Sequence, residues 1–154
     1  MKLLLIEDDP DHAELICSTL KDIDVELVCS GEEGLKRISE KSYDLILVDY
    51  RLPGMNGIEF LSKVSGIPVI LLTGMGSEEI AVQALKHGAY DYIIKSLNLL
   101  QKLPLLIKQS IEKHRIKKEK ELLEKNLSET KNYLDFIIST SADGIVVTDT
   151  NGRV

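Results

Sequence analysis

Leu45-Ile46-Leu47-Val48-Asp49-Tyr50-Arg51-Leu52-Pro53-Gly54 is the stretch that decides the fold. Its four consecutive aliphatic residues show no alternation, which predicts a strand buried on both faces, as in a parallel sheet covered by helices. The acid that ends the run, with a Pro-Gly turn signal behind it, then lies at the carboxyl edge of that sheet. Three other runs have the same form. Leu3-Leu4-Leu5-Ile6 leads into Glu7-Asp8-Asp9, Val69-Ile70-Leu71-Leu72 into Thr73, and Tyr90-Asp91-Tyr92-Ile93-Ile94 into Lys95. If the strands are parallel, acids, a hydroxyl and an ammonium from distant parts of the chain emerge at one edge.

Segments of helical period separate these runs. Asp9-Pro10 opens the first helix with proline in its first turn, and Ala13, Leu15, Ile16 and Leu20 form its apolar stripe. Residues 25–29 form a half-alternating strand. Ser30 and Glu33 have capping-box spacing ahead of Leu35 and Ile38, Asn56 and Glu59 repeat it, Ser77 caps the next helix, and Gly88 stops it. Five βα units in about 110 residues predict an α/β, flavodoxin-like doubly wound fold. Its five-stranded parallel sheet has the order 2-1-3-4-5, helices cover both faces, and ligands bind beyond the carboxyl ends of the strands at the switch point.

The 154 residues allow one domain with a sizeable core and an appendage. Residues 1–95 carry 9 Lys/Arg against 17 Asp/Glu, whereas residues 96–154 carry 10 against 8. An acidic first part argues against direct binding of nucleic acid. The basic stretch from Lys113 to Lys120 is interleaved with Glu and reads as a solvated helix face. Cys17 and Cys29 lack metal-type spacing, which predicts reduced, partly buried thiols in a cytoplasmic protein. No apolar segment is long enough for membrane insertion.

Beyond Ser96, Pro104 fits the first turn of a fifth helix, and no Pro or Gly follows until Gly144. Ile116, Leu123, Thr130 and Ile137 alternate with Lys120, Leu127 and Leu134 at spacings of four and three, which is much of a coiled-coil seam. Lys120 and Thr130 weaken it. Residues 141–154 read as a turn, a strand and an Asn151-Gly152 hairpin signal whose second strand is cut off, as at the front of a longer protein.

The chemistry of the strand ends is specific. Packed carboxylates repel unless a cation lies among them, and an all-oxygen donor set selects Mg²⁺ or Mn²⁺. Asp8 and Asp49 are the expected ligands, Glu7 acts through a bound water, and Asp9 caps the helix. Aspartate also accepts phosphoryl groups. Taken singly, Asp49 suits a turn, Lys95 an exposed lysine, and Thr73 a loop hydrogen bond. Together with Asp8 they require four coincidences at one edge.

The motifs Ile6-Glu7-Asp8-Asp9-Pro10, residues 48–57 around Asp49, Leu72-Thr73-Gly74 and residues 88–95 ending in Lys95 resemble the receiver domain of bacterial two-component response regulators. The resemblance covers residues 1–112. It implies that Asp49 takes a phosphoryl group from a phosphohistidine on a sensor histidine kinase or phosphotransfer protein. Mg²⁺ would be held by Asp8, Asp49, the backbone carbonyl of Arg51 and, through water, Glu7. Lys95 would pair with Asp49 and then with the phosphoryl oxygens. Thr73 would turn its hydroxyl onto the phosphoryl group and Tyr92 would swing inward, switching the surface of the fourth helix, fifth strand and fifth helix. Receivers usually have proline after the lysine, joined by a cis bond, whereas this chain has Ser96; the cost of a non-proline cis bond, roughly 2.5–4 kcal/mol, predicts a trans Lys95–Ser96 peptide.

Residues 113–138 then form a helical linker, a candidate for homodimerisation, and residues 139–154 are similar to the start of a PAS sensory domain. The expected protein is not an enzyme beyond phosphorylating itself and hydrolysing its own phosphoaspartate, with a PAS-like or kinase module downstream. Two rival readings differ in class. A Mg²⁺-dependent phosphatase with an aspartyl-phosphate intermediate commonly needs an acid two residues after its nucleophile, where Arg51 stands. A receiver-shaped module that is never phosphorylated has no need of the complete acid, hydroxyl and lysine set.

Overall fold

The five runs form one parallel sheet. The computed structural model describes residues 1–74 and 76–145. Within it, β1 (Lys2–Ile6), β2 (Asp24–Val28), β3 (Leu45–Asp49), β4 (Val69–Thr73) and β5 (Asp91–Ile94) pair in the order β2-β1-β3-β4-β5, as the sequence predicts. The helices are α1 (Pro10–Thr19), α2 (Gly31–Glu40), α3 (Gly57–Ser62), α4 (Glu78–Lys86), α5 (Leu97–Gln101) and α6 (Leu103–Ile145).

Alternation along the strands divides the core into two layers. Leu4, Ile6, Ile46, Val48, Val69 and Leu71 pack with Phe60 and Ile58 of α3 and Ala84 of α4. Leu3, Leu5, Leu45, Leu47, Ile70 and Leu72 pack with Ile16 of α1, Leu100 of α5, and Leu103 and Ile107 of α6. Every residue of β3 and β4 is buried, the outcome that an unbroken aliphatic run predicts. The edge strand β2 keeps its half-exposed pattern.

Local signals fix the helix ends. Asp9 accepts hydrogen bonds from the N–H groups of Asp11 (2.9 Å) and His12 (3.2 Å), Ser30 from Glu33 N–H (3.2 Å), and Asn56 from Ile58 and Glu59 N–H (2.9 Å each). Gly88, at φ +94°, ends α4 in the left-handed region; its N–H donates to Leu85 O (3.1 Å) and Ala89 N–H to Ala84 O (2.9 Å), a Schellman closure. Ser77 stands at the N-cap of α4 but its side chain makes no capping bond. Instead its backbone N–H donates to the Tyr92 hydroxyl at 3.2 Å.

Three other expectations need correction. Cys29 is exposed, because β2 ends one residue before it, while Cys17 is half-buried; both are free. A short helix that was not foreseen, α5, precedes the expected one, which is α6, with Lys102 between them. Pro104 has no N–H to continue the ladder from α5, and it fits the first turn of α6, as expected of the helix that follows. Residues 141–145, read as the beginning of a turn and strand, are helical. One glycine costs an α-helix only about 1 kcal/mol relative to alanine, and a helix of 43 residues tolerates Gly144 near its end. The strand and hairpin predicted over residues 146–154 lie outside the described residues.

The chain divides into two compact units, Met1–His114 and Arg115–Val154. In the first, His114 meets Tyr90 edge-on at 5.3 Å between ring centroids. The second, as far as Ile145, is the remainder of α6.

Candidate functional site

The order β2-β1-β3 sets the ends of β1 and β3 side by side, so Glu7 and Asp8 after β1 face Asp49 at the end of β3. One carboxylate oxygen from each of the three lies within 4.8 Å of the others. Asp8 is exposed, whereas Glu7 and Asp49 are buried, 1% and 6% exposed. The loop back from Asp49 is tight. Gly57 N–H donates to Tyr50 O at 2.9 Å, and a Cβ on Gly57 would stand 2.6 Å from Asp49 O and 2.6 Å from a Leu71 methyl. Only glycine lets α3 begin this close to the acid.

Register carries the site across to β5. Asp49 pairs with Leu72, and Thr73, the next residue, pairs with Ile94. Lys95 N–H donates to Thr73 O at 2.7 Å, and Thr73 is itself buried. The Lys95–Ser96 peptide is trans, as expected. The Lys95 ammonium reaches back over the sheet edge, pairing with Glu7 and lying 3.1 Å from Asp49 Oδ1. All four strand-end residues thus meet at one edge. Arg51 is exposed in the β3–α3 loop, and Tyr92 is half-buried with its hydroxyl accepting from Ser77 N–H.

Burial raises the Glu7 pKa above the usual carboxylate value; the Lys95 hydrogen bond opposes this, and the Asp49 charge adds to it. Three carboxylates here stand against the one ammonium of Lys95. An oxygen-only cluster with uncompensated negative charge fits a hard divalent cation such as Mg²⁺.

Two features escaped the sequence. Glu7 is ion-paired with Lys95, a partner not foreseen for it. His12, in the first turn of α1, lies 3.2 Å from Lys95 Nζ through its Nδ1. Its place three residues after the cap Asp9 puts it near the strand ends. Nothing local, however, points to a partner 83 residues away.

The chain belongs to the response regulator receiver domain family, whose model matches residues 3–106. It is 37% identical over 102 residues to the transcriptional regulatory protein ZraR of Salmonella typhimurium, covering 62% of this chain and 23% of that protein. It is 38% identical over 117 residues to a CpxR homologue of Haemophilus influenzae, covering 71% of this chain and 51% of the relative. The chain thus spans between a quarter and a half of such relatives. Among solved structures, a CheY-like receiver domain from Methanospirillum hungatei superposes with a TM-score of 0.69 at 30% identity, covering 75% of this chain and 97% of that one. The acidic cluster of Glu7, Asp8 and Asp49 lies within the matched receiver domain. Among the described residues no helix is long and apolar enough to cross a membrane.

Proposed function

We propose that Asp49 accepts a phosphoryl group from a phosphohistidine on a sensor histidine kinase or a phosphotransfer protein, in the cytoplasm where such donors work. The observation that carries this reading is the buried Asp49 carboxylate held 3.1 Å from the Lys95 ammonium beside two further acids. An Asp49 carboxylate oxygen attacks phosphorus in line, the P–N bond breaks, and its electron pair returns to the donor imidazole. Mg²⁺ held by Asp8, Asp49 and the Arg51 carbonyl, with Glu7 acting through water, would neutralise charge on the equatorial oxygens. Lys95 holds the Asp49 carboxylate before transfer and moves to the phosphoryl oxygens after it. The Gly57 turn keeps Asp49 fixed in both states.

Thr73 turns its hydroxyl to the phosphoryl group, and Tyr92 completes the switch. The Tyr92 hydroxyl ties β5 to the start of α4 through Ser77, so its inward swing breaks that tie and alters the face formed by α4, β5 and the helices after it. From there α6 carries the signal to a downstream PAS-like or kinase module, through a linker over residues 113–138 into a segment from residue 139. The exposed Ile116, Leu123, Leu127, Leu134 and Ile137 support pairing of two such helices.

Nuclear magnetic resonance during titration with Mg²⁺ and beryllofluoride tests the switch. Amide shifts are expected at Thr73, Ser77 and Tyr92, and their loss in Thr73→Ala. Saturable shifts confined to the residues around Asp8 and Asp49 would refute it.

A further inference from the structure

Lys95 lacks the proline that follows the corresponding lysine in most receivers, yet its side chain is only 6% exposed and its ammonium is held from three directions. It pairs with the Glu7 carboxylate after β1, lies 3.1 Å from Asp49 Oδ1 at the end of β3, and lies 3.2 Å from His12 Nδ1 on α1. An ammonium has three N–H bonds, and two carboxylates and an imidazole nitrogen, which accepts in the Nε2–H tautomer, surround it. His12 Nδ1 is 3.7 Å from Asp9 Oδ2 and 4.0 Å from Glu7 Oε1, beyond hydrogen-bonding distance, so the lysine is the group it bonds.

We infer that His12 is a positioning residue for Lys95, its Nδ1 supplying the third acceptor that aims the ammonium at Asp49. The inference rests on the reading of Asp49 as phosphoryl acceptor. The His12 backbone is fixed by its bond to the Asp9 cap, and an imidazole has only two side-chain torsions, so the acceptor is well placed. Without it the third N–H faces the cleft of ≈ 140 Å³ lined by His12, Leu15, Ile16, Lys95, Leu97 and Leu100, and the long side chain is free to rotate away from Asp49.

Phosphorylation rate with acetyl phosphate and Mg²⁺ affinity by calorimetry, measured on the full chain, His12→Ala and His12→Asn, test this. Asparagine places Oδ1 where the imidazole has Nδ1. The rate is expected to fall about tenfold in His12→Ala, the scale of one charge-assisted hydrogen bond, and to stay within about twofold of the unmutated rate in His12→Asn. Mg²⁺ affinity should be unchanged in both. A His12→Ala rate equal to the unmutated one, equally slow Ala and Asn variants, or a parallel loss of Mg²⁺ affinity would each overturn the assignment while leaving Asp49 as acceptor. Failure of the unmutated chain to take up phosphoryl would overturn the Asp49 reading, and this one with it.

Discussion

Leu71, in the middle of β4, is fully buried, whereas Leu127, in the Arg115–Ile145 part of α6, is 71% exposed. The contrast extends to their surroundings. In Met1–His114 the leucines and isoleucines of β1, β3 and β4 are enclosed between helical layers, while beyond it Leu123, Tyr133, Phe136 and Ile138 are all exposed. The first unit is held by burial of apolar area. The second is held as a monomer by its own backbone hydrogen bonds and by spaced ion pairs such as Lys120–Glu124 (3.9 Å) and Lys125–Glu129 (4.0 Å), each worth about 0.2–0.5 kcal/mol. Isolated helices draw little stability from propensity alone.

Large-to-small substitution is the most forceful way to break the comparison. Phe60→Ala, at a fully buried site, is expected to cost about 3–5 kcal/mol in denaturant unfolding, and Leu127→Ala less than about 0.5 kcal/mol in dilute protein. Comparable losses at the two sites would show that the second unit is packed as the first is. Next in size is Gly57→Ala. Its Cβ would meet Asp49 O and Leu71 at 2.6 Å, so a loss of about 1–3 kcal/mol is expected, accompanied by weaker Mg²⁺ binding because the Asp49 loop must shift. Unchanged stability and affinity would show that the α3 turn does not position the acid.

A smaller effect separates site from scaffold by pH. The folded pKa of Glu7 lies above the ordinary 4.5, so ionised Glu7 opposes folding; the stability it allows is fully present below 4.5 and is lost as pH rises through the folded value. Glu7→Gln should therefore raise the melting temperature at neutral pH, show no gain below pH 4.5, and bind Mg²⁺ more weakly. A gain of equal size at both pH values would contradict the cause assigned. Glu26 on β2 has the opposite sign. Tyr43 donates to it at 2.8 Å and Lys41 lies beside it, which lowers its pKa, so its contribution is present above 4.5 and disappears as pH falls through the folded value. A melting curve for Glu26→Gln should approach that of the unmutated chain as the acid limit is reached.

The same contrast explains what the sequence revealed. Strands β3 and β4 were legible because runs of aliphatic residues have one economical fate in a chain of this length, and the caps Asp9, Ser30 and Asn56 act through bonds to residues two or three positions on. The convergence of Asp8, Asp49, Thr73 and Lys95 followed from strand polarity alone. The pairing of Lys95 with Glu7 and His12 did not, because it depends on how α1 is set against the end of β5, a tertiary relation with no local signal. The short α5 was missed because five residues are too few to show a helical period, whereas Pro104 does stand in the first turn of the helix it was expected to open. At Ser141-Ala142-Asp143-Gly144, turn-forming composition misled, because the helix continues through residues that tolerate either state.

Intact-mass measurement after incubation with acetyl phosphate and Mg²⁺ decides whether Asp49 is the phosphoryl acceptor. The unmutated chain is expected to gain the mass of one phosphoryl group, which hydroxylamine removes, and Asp49→Ala to gain nothing while still folding. An Asp49→Ala chain that gains the same hydroxylamine-sensitive mass, or an unmutated chain that gains none, would contradict it.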